Sequence, residues 1–82
     1  MNASIRMYTT RWCPDCRRAK HFLTEHGLVF EEINIEEVAG AAEYIIAANG
    51  GKRCVPTFEV NGRVFHCSPY NPEKLRRELG LA

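Results

Sequence analysis

Hydrophobic residues recur along this chain at two spacings, one typical of strands and the other typical of helices. Short runs with strand character cover residues 4–8, 29–35, 57–60 and 63–66. Longer runs with apolar residues three and four positions apart cover residues 14–26, 36–49 and 73–79. The pattern therefore predicts four strands and three helices in the order βαβαββα.

Turn and capping residues separate these predicted elements. Pro14 suits the first position of a helix, and Gly27 is a favourable residue just beyond a helix end. The second helix is predicted from an apolar stripe that consists of Val38, Ala41, Ala42, Ile45 and Ile46. Asn61-Gly62 lies between two strand-like runs and predicts a tight hairpin, because a type I′ turn needs positive φ at both central residues.

The connections between the predicted elements limit how the strands can pair. A helix between the first two strands favours a parallel pair, whereas the hairpin makes the last two strands antiparallel. A small sheet of this kind needs helices on both faces to bury its sides. We therefore expect an α/β fold, with a four-stranded mixed sheet flanked by three helices, in a single domain that spans residues 1–82.

Composition and charge narrow the classes of function. The chain has 82 residues, 45% of them hydrophobic, and its 11 basic residues are balanced by 10 acidic ones. The net charge of +1 gives no reason to expect nucleic acid or an anionic membrane as a partner. No apolar run approaches the roughly 18 residues of a membrane helix, and the first residues lack the apolar stretch of a signal peptide. We expect a cytoplasmic monomer.

The most informative local sequence is Cys13-Pro14-Asp15-Cys16 at the start of the first predicted helix. There, residues three positions apart have Cα atoms within the roughly 4.4–6.8 Å that a disulfide requires. The helix N-terminus also offers N–H groups and a partial positive charge, which favour a thiolate at Cys13. Because the thiolate is the reactive form of cysteine, the pair is predicted to cycle between dithiol and disulfide.

Three other interpretations of the cysteines stay open. Cys13 and Cys16 also fit a structural disulfide or half of a metal site, although a zinc site would need a second close pair. The other two cysteines, Cys54 and Cys67, are separated by twelve residues, which is not the spacing of a zinc knuckle. A redox sensor in which Cys54 or Cys67 pairs with Cys13 is the further interpretation.

Two motifs together are typical of one known family. Trp12-Cys13-x-x-Cys16 follows the first predicted strand, and Val55-Pro56 opens the third. With the predicted order of elements, these motifs resemble the glutaredoxin branch of the thioredoxin fold over nearly the whole chain. The chain is similar above all to small bacterial members, the mycoredoxins and the glutaredoxin-like electron donors of ribonucleotide reductase. The resemblance implies a thiol–disulfide oxidoreductase that reduces protein disulfides or mixed disulfides with low-molecular-weight thiols.

The resemblance also implies roles for individual residues. Cys13 is expected to be the nucleophile and Cys16 the resolving cysteine, and the Val55–Pro56 peptide bond is expected to be cis. The expected substrate-binding residues are Arg11, Trp12, Cys54, Val55, Pro56, Cys67 and Ser68. No bound cofactor or metal ligand is expected. Glutathione or another low-molecular-weight thiol is the expected co-substrate, and glutathione or a thioredoxin-reductase-type flavoprotein is the expected reductant.

The chain departs from the family pattern at positions that concern glutathione. Family members that bind glutathione usually have a Gly-Gly-Cys/Ser-Asp stretch after the hairpin, where this chain has His66-Cys67-Ser68-Pro69-Tyr70. Thr10 occupies a position that is usually basic, which leaves Arg11 or Arg53 as substitutes. Cys54 stands where threonine is common and is expected near Cys13. Because some glutaredoxins share an iron–sulfur cluster between two subunits, a metal or iron–sulfur carrier is the alternative function.

Overall fold

The computed structural model describes residues 4–81, which contain one sheet with helices on both faces. In chain order the elements are β1 (Ile5–Thr9), α1 (Pro14–Glu25), β2 (Glu31–Asn34), α2 (Ala41–Ala48), β3 (Thr57–Val60), β4 (Arg63–His66) and α3 (Pro72–Glu78). The predicted order of strands and helices is confirmed.

The pairing of the strands brings several chain segments to one edge of the sheet. The strand order is β2-β1-β3-β4. β1 pairs parallel with β2 and antiparallel with β3, and β3 pairs antiparallel with β4. The C-terminal ends of β1, β2 and β4 therefore lie beside the N-terminal end of β3. The loops that leave or enter these ends carry the cysteine motif and the Val55-Pro56 segment, so both motifs lie at the same edge.

The larger hydrophobic core lies between the sheet and helices α1 and α3. Its buried residues are Ile5, Met7, Cys16, Ala19, Phe22, Leu23, Phe58, Val60, Cys67 and Leu75. Ile5 and Met7 share one face of β1 because successive side chains of a strand point to opposite faces. Ala19, Phe22 and Leu23 form the predicted stripe of α1, and this stripe fixes the helix that begins with the cysteine motif.

A smaller core covers the opposite face of the sheet, where α2 packs. Tyr8 and Ile35 contribute from the sheet side, and Ala41 and Ile45 contribute from α2. Tyr8 follows Met7 directly in β1, so strand alternation places the two side chains in different cores. The expectation that helices cover both faces is confirmed.

The bounds of β1 and β2 differ from the predicted ranges 4–8 and 29–35, whereas β3 and β4 match theirs. β1 continues to Thr9, which the pattern places in the following loop, because Thr9 pairs with Asn34 and is only 2% exposed. β2 begins at Glu31 rather than at Val29, since its pairing with β1 starts where Glu31 meets Arg6. Val29 is 80% exposed, so its apolar side chain does not contribute to a strand face.

The second helix begins at Ala41, five residues later than the hydrophobic pattern predicts. The side chain of Asn34 accepts the N–H of Glu36 at 2.8 Å, and its backbone carbonyl accepts the N–H groups of the next two residues. These bonds form a turn, and Gly40 then adopts φ +83°, in the left-handed region that favours glycine. Val38 lies in this turn and is half exposed, so the first member of the predicted stripe is wrong.

Residues at the other chain reversals adopt the predicted conformations. Gly27 has φ +67° beyond α1, and the hairpin residues Asn61 and Gly62 have φ values of +52° and +83°, as a type I′ turn requires. α1 ends at Glu25, one residue before its predicted end, and α3 begins and ends one residue before its predicted bounds.

None of the helices in residues 4–81 has both the length and the apolar character that crossing a membrane would require.

Candidate active site

Cys13 and Cys16 lie at the N-terminus of α1, directly after the loop that leaves β1. Cys13 is the N-cap residue, and its sulfur accepts the backbone N–H of Cys16 at 3.0 Å. Pro14 occupies the first helical turn, where its missing N–H leaves no partner unsatisfied. A negative charge on the Cys13 sulfur would therefore meet a backbone donor and the positive end of the helix.

The two thiols have different access to solvent. Cys13 is partly exposed, whereas Cys16 is only 3% exposed and packs in the larger core. Burial raises the pKa of the Cys16 thiol, and its hydrogen bond with Cys13 raises it further, while a backbone contact with Thr10 acts in the opposite direction. Cys16 is therefore a protonated thiol at neutral pH.

The Val55–Pro56 segment lies beside the Cys13 sulfur. The Cys13 thiol is 3.6 Å from the Val55 carbonyl oxygen, to which it donates a hydrogen bond. The Val55–Pro56 peptide bond is cis, as expected. Pro56 accepts the backbone N–H of Cys67 at 2.9 Å, so the segment that follows β4 is fixed next to the same site. The Ser68–Pro69 peptide bond is also cis, which the sequence did not predict.

Val55 presents a free backbone donor close to the reactive sulfur. Within residues 4–81, its carbonyl is bound by Cys13 but its N–H has no hydrogen-bond partner. Buried and half-buried N–H groups are normally paired, so an unpaired one beside a thiol is available to a substrate backbone. The hydroxyl of Thr57 donates a hydrogen bond to the Cys54 carbonyl at 2.6 Å and so stabilises the conformation of this segment.

The two other cysteines have different surroundings. Cys54 is half-buried, one residue before the Val55 carbonyl that contacts Cys13. Cys67 is 1% exposed, and its sulfur accepts the Asn71 N–H at 3.3 Å and donates to the Asn71 carbonyl at 3.4 Å. Burial raises the pKa of the Cys67 thiol. These contacts make Cys67 a packing residue in this structure, although it follows β4 at the edge that carries the site.

The remaining expected site residues are Trp12, Arg11 and Ser68, which differ in their exposure to solvent. Trp12 precedes Cys13 and is 76% exposed, so its ring is available as a contact surface. Arg11 is exposed and pairs with Glu37 at 3.1 Å. Ser68 is half-buried, beyond Cys67. The expected substrate-binding residues thus divide between the loop before α1, which carries Arg11 and Trp12, and the segments around β3 and β4.

A polar cavity of about 490 Å³ opens beside both active-site thiols. Its charged residues are Arg11, Arg17, Lys20, Glu32 and Glu37, and Thr9, Thr10 and Asn34 add neutral polar groups. Sequence reasoning did not single out Lys20, Glu32 or Asn34 as site residues. The helical spacing could have indicated Lys20, which lies four positions after Cys16, but the contribution from β2 depends on the strand pairing.

Among the residues that the structure describes, no group of three or more His, Cys, Asp and Glu side chains is arranged to hold a metal ion. All four cysteines are free thiols, two of them in the core.

The glutaredoxin family model matches residues 5–65. The chain belongs to the glutaredoxin family. This is a family of thiol–disulfide oxidoreductases, so the resemblance inferred from the motifs is confirmed.

Individual glutaredoxins and related proteins support the assignment. A protein of Mycobacterium tuberculosis whose name assigns it to the glutaredoxins is 42% identical over 57 residues, 70% of this chain and 68% of that protein. Mycoredoxin 1 of Corynebacterium glutamicum is 28% identical over 80 residues, 98% of this chain and 99% of that protein. The structure of the glutaredoxin-like protein NrdH-redoxin from Escherichia coli matches with a TM-score of 0.76 at 28% identity, covering 90% of this chain and 92% of that chain. The expected thioredoxin-like fold is confirmed.

In this glutaredoxin, partners within residues 4–81 already bind the backbone N–H groups at the start of α3. The side chain of Asn71 accepts the N–H groups of Glu73 at 3.0 Å and Lys74 at 3.2 Å, and its carbonyl accepts the N–H of Leu75. Pro72 has no N–H to offer. The first turn is thus satisfied within the chain, in the region where family members that bind glutathione usually carry their Gly-Gly-Cys/Ser-Asp stretch.

Proposed function

We propose that this glutaredoxin reduces disulfides through a dithiol mechanism in which Cys13 attacks and Cys16 resolves. The observation that carries the proposal is the arrangement around the Cys13 sulfur. That sulfur accepts the Cys16 N–H at 3.0 Å and lies 3.6 Å from the Val55 carbonyl, next to an N–H that has no partner within residues 4–81. An extended substrate can pair with the Val55 backbone, as in strand addition, and present its disulfide to Cys13.

In the first step, the Cys13 thiolate attacks one sulfur of the substrate disulfide. A bond forms between Cys13 and that sulfur, the substrate disulfide breaks, and the other substrate sulfur leaves as a thiolate. The partial exposure of Cys13 at the helix N-terminus suits this role, because an attacking sulfur must be both accessible and negatively charged.

In the second step, Cys16 loses its proton and attacks Cys13. The Cys13–Cys16 disulfide forms, the mixed disulfide breaks, and the second substrate sulfur leaves as a thiolate that takes up a proton. The substrate has then gained two electrons and the protein has lost two. Burial of Cys16 keeps it protonated until it reacts, which limits its reaction with other molecules.

The proposed reductant is a thioredoxin-reductase-type flavoprotein rather than glutathione. The capped first turn of α3 supports this choice, because Asn71 already occupies the N–H groups that would otherwise be available to a glutathione carboxylate. The related NrdH-redoxin of Escherichia coli is described as having a thioredoxin-like activity profile. We place the protein in a reducing compartment such as the cytoplasm, where its dithiol can be regenerated.

The test measures NADPH oxidation with a protein disulfide as substrate, using thioredoxin reductase alone or glutathione with glutathione reductase. The wild type should turn over with thioredoxin reductase, Cys13→Ser should be inactive, and Cys16→Ser should stop after one mixed disulfide that mass spectrometry detects at Cys13. Full turnover by Cys13→Ser would refute the mechanism. Turnover with glutathione only would refute the choice of reductant and leave the thiol chemistry intact.

A further inference from the structure

Hydrogen bonds on either side of Val55 hold the backbone that lies beside the reactive sulfur. The Cys54 carbonyl before it accepts the Thr57 hydroxyl at 2.6 Å, and the Pro56 carbonyl after it accepts the Cys67 N–H at 2.9 Å. The second bond joins two backbone groups, whereas the first depends on a side chain. The orientation of the backbone before Val55 is therefore sensitive to the residue at position 57.

Thr57 has a second partner, which reaches it from the end of α2. The side-chain amide of Asn49, the residue that follows α2, donates to the Thr57 hydroxyl oxygen at 3.0 Å. Thr57 is completely buried and Asn49 is half-buried, so water has little access to this bond. The Asn49 amide, the Thr57 hydroxyl and the Cys54 carbonyl thus form a hydrogen-bonded chain from α2 to the active site.

The chemistry of the two side chains fixes the direction of this chain. A hydroxyl group has one proton to donate, and an amide NH₂ group can only donate. Because the Asn49 amide donates to the Thr57 oxygen, the Thr57 proton is left for the Cys54 carbonyl. An accepting group at position 49 would compete for that proton. Asn49 therefore determines which partner the Thr57 hydroxyl binds.

The peptide unit that this bond orients is one that a substrate backbone would meet. The Cys54 carbonyl and the Val55 N–H belong to the same peptide unit, which is planar, so fixing one group fixes the other. The Val55 N–H has no hydrogen-bond partner within residues 4–81, and the Val55 carbonyl lies 3.6 Å from the Cys13 sulfur. The Thr57 bond therefore sets the direction in which the N–H points beside that sulfur.

We propose that Asn49 and Thr57 are positioning residues that direct the Val55 N–H toward the backbone of an extended substrate. The proposal rests on the function proposed above and adds a substrate class, disulfides flanked by peptide groups. Such a substrate gains the hydrogen bond to Val55, whereas a small disulfide without amides does not. Cys13 forms and breaks the same bonds with either disulfide, so the two residues affect docking and not the thiol exchange.

The test compares two disulfides in their reaction with the pre-reduced protein. The first is the disulfide-linked dimer of a five-residue peptide that has a central cysteine and blocked ends. The second is bis(2-hydroxyethyl) disulfide, which has no amide groups. Rates are measured over a range of substrate concentrations by quenching with acid and quantifying the released thiol. The ratio of the two second-order rate constants reports docking, because the same two thiols react in both cases.

Asn49→Asp is the first variant, because it exchanges a donating amide for an accepting carboxylate of nearly the same size. The Thr57 proton should then turn to position 49, and the second-order rate constant for the peptide should fall about tenfold, as expected for one hydrogen bond. The fall should come from a higher half-saturating peptide concentration. The maximum rate and the hydroxyethyl reaction should change less than twofold.

Two substitutions at position 57 test the same bond independently. Thr57→Val removes the hydroxyl at nearly constant size and should also lower the rate constant for the peptide about tenfold. Thr57→Ser keeps the hydroxyl, so its rate constant for the peptide should stay within twofold of the wild type. A purely structural role of Thr57 would not distinguish the peptide from the hydroxyethyl compound.

Thr24→Val is the matched control. It removes another hydroxyl that donates to a backbone carbonyl, that of Lys20 at 2.9 Å, near the end of α1 that is distant from the thiols. The ratio of the two rate constants should keep its wild-type value. An equal slowing of both disulfides in Asn49→Asp and Thr57→Val would refute the positioning role in favour of a general effect on the fold. An unchanged peptide rate in these variants would refute it outright.

Failure of the positioning role can be distinguished from failure of the proposed function. If the wild type reduces neither disulfide, the proposed function and the positioning role both fail. If the wild type reduces the hydroxyethyl compound and the variants change neither rate, the thiol chemistry stands and the positioning role alone is refuted.

Discussion

The two active-site thiols differ in their surroundings although only Pro14 and Asp15 separate them. Cys13 caps the helix at the surface, whereas Cys16 turns into the larger core and is 3% exposed. The difference follows from the helix itself, because Cys16 lies three positions before the buried Ala19 and continues its apolar stripe. The spacing of the motif thus gives one accessible thiol and one buried thiol.

Burial of Cys16 leads to a prediction about stability at alkaline pH. Its pKa is raised in the folded protein, so above the usual cysteine value of about 8.5 the unfolded chain ionises while the folded chain does not. The stability that the neutral thiol provides is fully present below that pH and is lost as pH rises. Between pH 8.5 and 10, the loss should approach about 2 kcal/mol in the free energy of unfolding.

The measurement is urea unfolding at pH 8 and pH 10 in the presence of a reductant, for the wild type and for Cys16→Ser. Lysine and tyrosine titrations are common to both proteins, so the comparison isolates the thiol. The pH-dependent loss should be smaller in the variant. An identical loss in both proteins would show that Cys16 does not remain neutral in the folded state.

At the level of single residues, the sequence indicated the reactive cysteines but not all of the residues that surround them. Cys13 and Cys16 were recognisable from their spacing, and Val55-Pro56 from its position before a strand. The cavity positions of Lys20 and Glu32 were not recognisable, because these residues come together through an ion pair between α1 and β2. Ion pairing between separate elements is a tertiary property that local patterns do not contain.

Helix boundaries show which local signals the hydrophobic pattern misses. The periodic stripe placed Val38 in α2, but Asn34 binds the N–H groups that follow it and Gly40 interrupts the helical conformation. Asn71-Pro72 is the converse case. It is a recognisable N-cap followed by a proline at the first helical position, and it places the start of α3 one residue before the apolar pattern does.

The cap of α3 can be tested by substitution. Asn71→Ala removes the side-chain oxygen that binds the N–H groups of Glu73 and Lys74, and it should lower the free energy of unfolding by about 0.5–2 kcal/mol. Asn71→Asp keeps an acceptor and should stay within a few tenths of a kcal/mol of the wild type. Chemical denaturation followed by far-UV circular dichroism measures both. Equal losses in the two variants would contradict the capping role.

The topology of the whole molecule could be predicted where connections are local. A helix between β1 and β2 favours a parallel pair, and Asn61-Gly62 fixes β3 and β4 as a hairpin. The antiparallel pairing of β1 with β3 joins segments about fifty residues apart, and no short pattern specifies it. The pairing of β1 with β3 brings Val55 beside Cys13. The site therefore depends on a strand pairing that local sequence patterns do not predict.

The two hydrophobic cores differ in size. A substitution in the smaller core shows how much the packing of α2 on its face of the sheet stabilises the fold. Ile45 is completely buried in the four-residue core under α2, whereas its neighbour Ile46 is only partly buried. Ile45→Ala should therefore lower the free energy of unfolding by about 2–5 kcal/mol, through lost burial and the cavity left behind. This is a large part of the roughly 4–12 kcal/mol expected for a chain of this length.

Ile46→Ala removes the same atoms from the same helix and is the matched control, with an expected loss well below that of Ile45→Ala. Urea denaturation should be followed by far-UV circular dichroism, because Trp12 is 76% exposed and its fluorescence responds little to unfolding. If the two variants lose the same stability, α2 does not cover a specific core. A second transition in Ile45→Ala alone would mean that α2 unfolds separately from the sheet that carries the thiols.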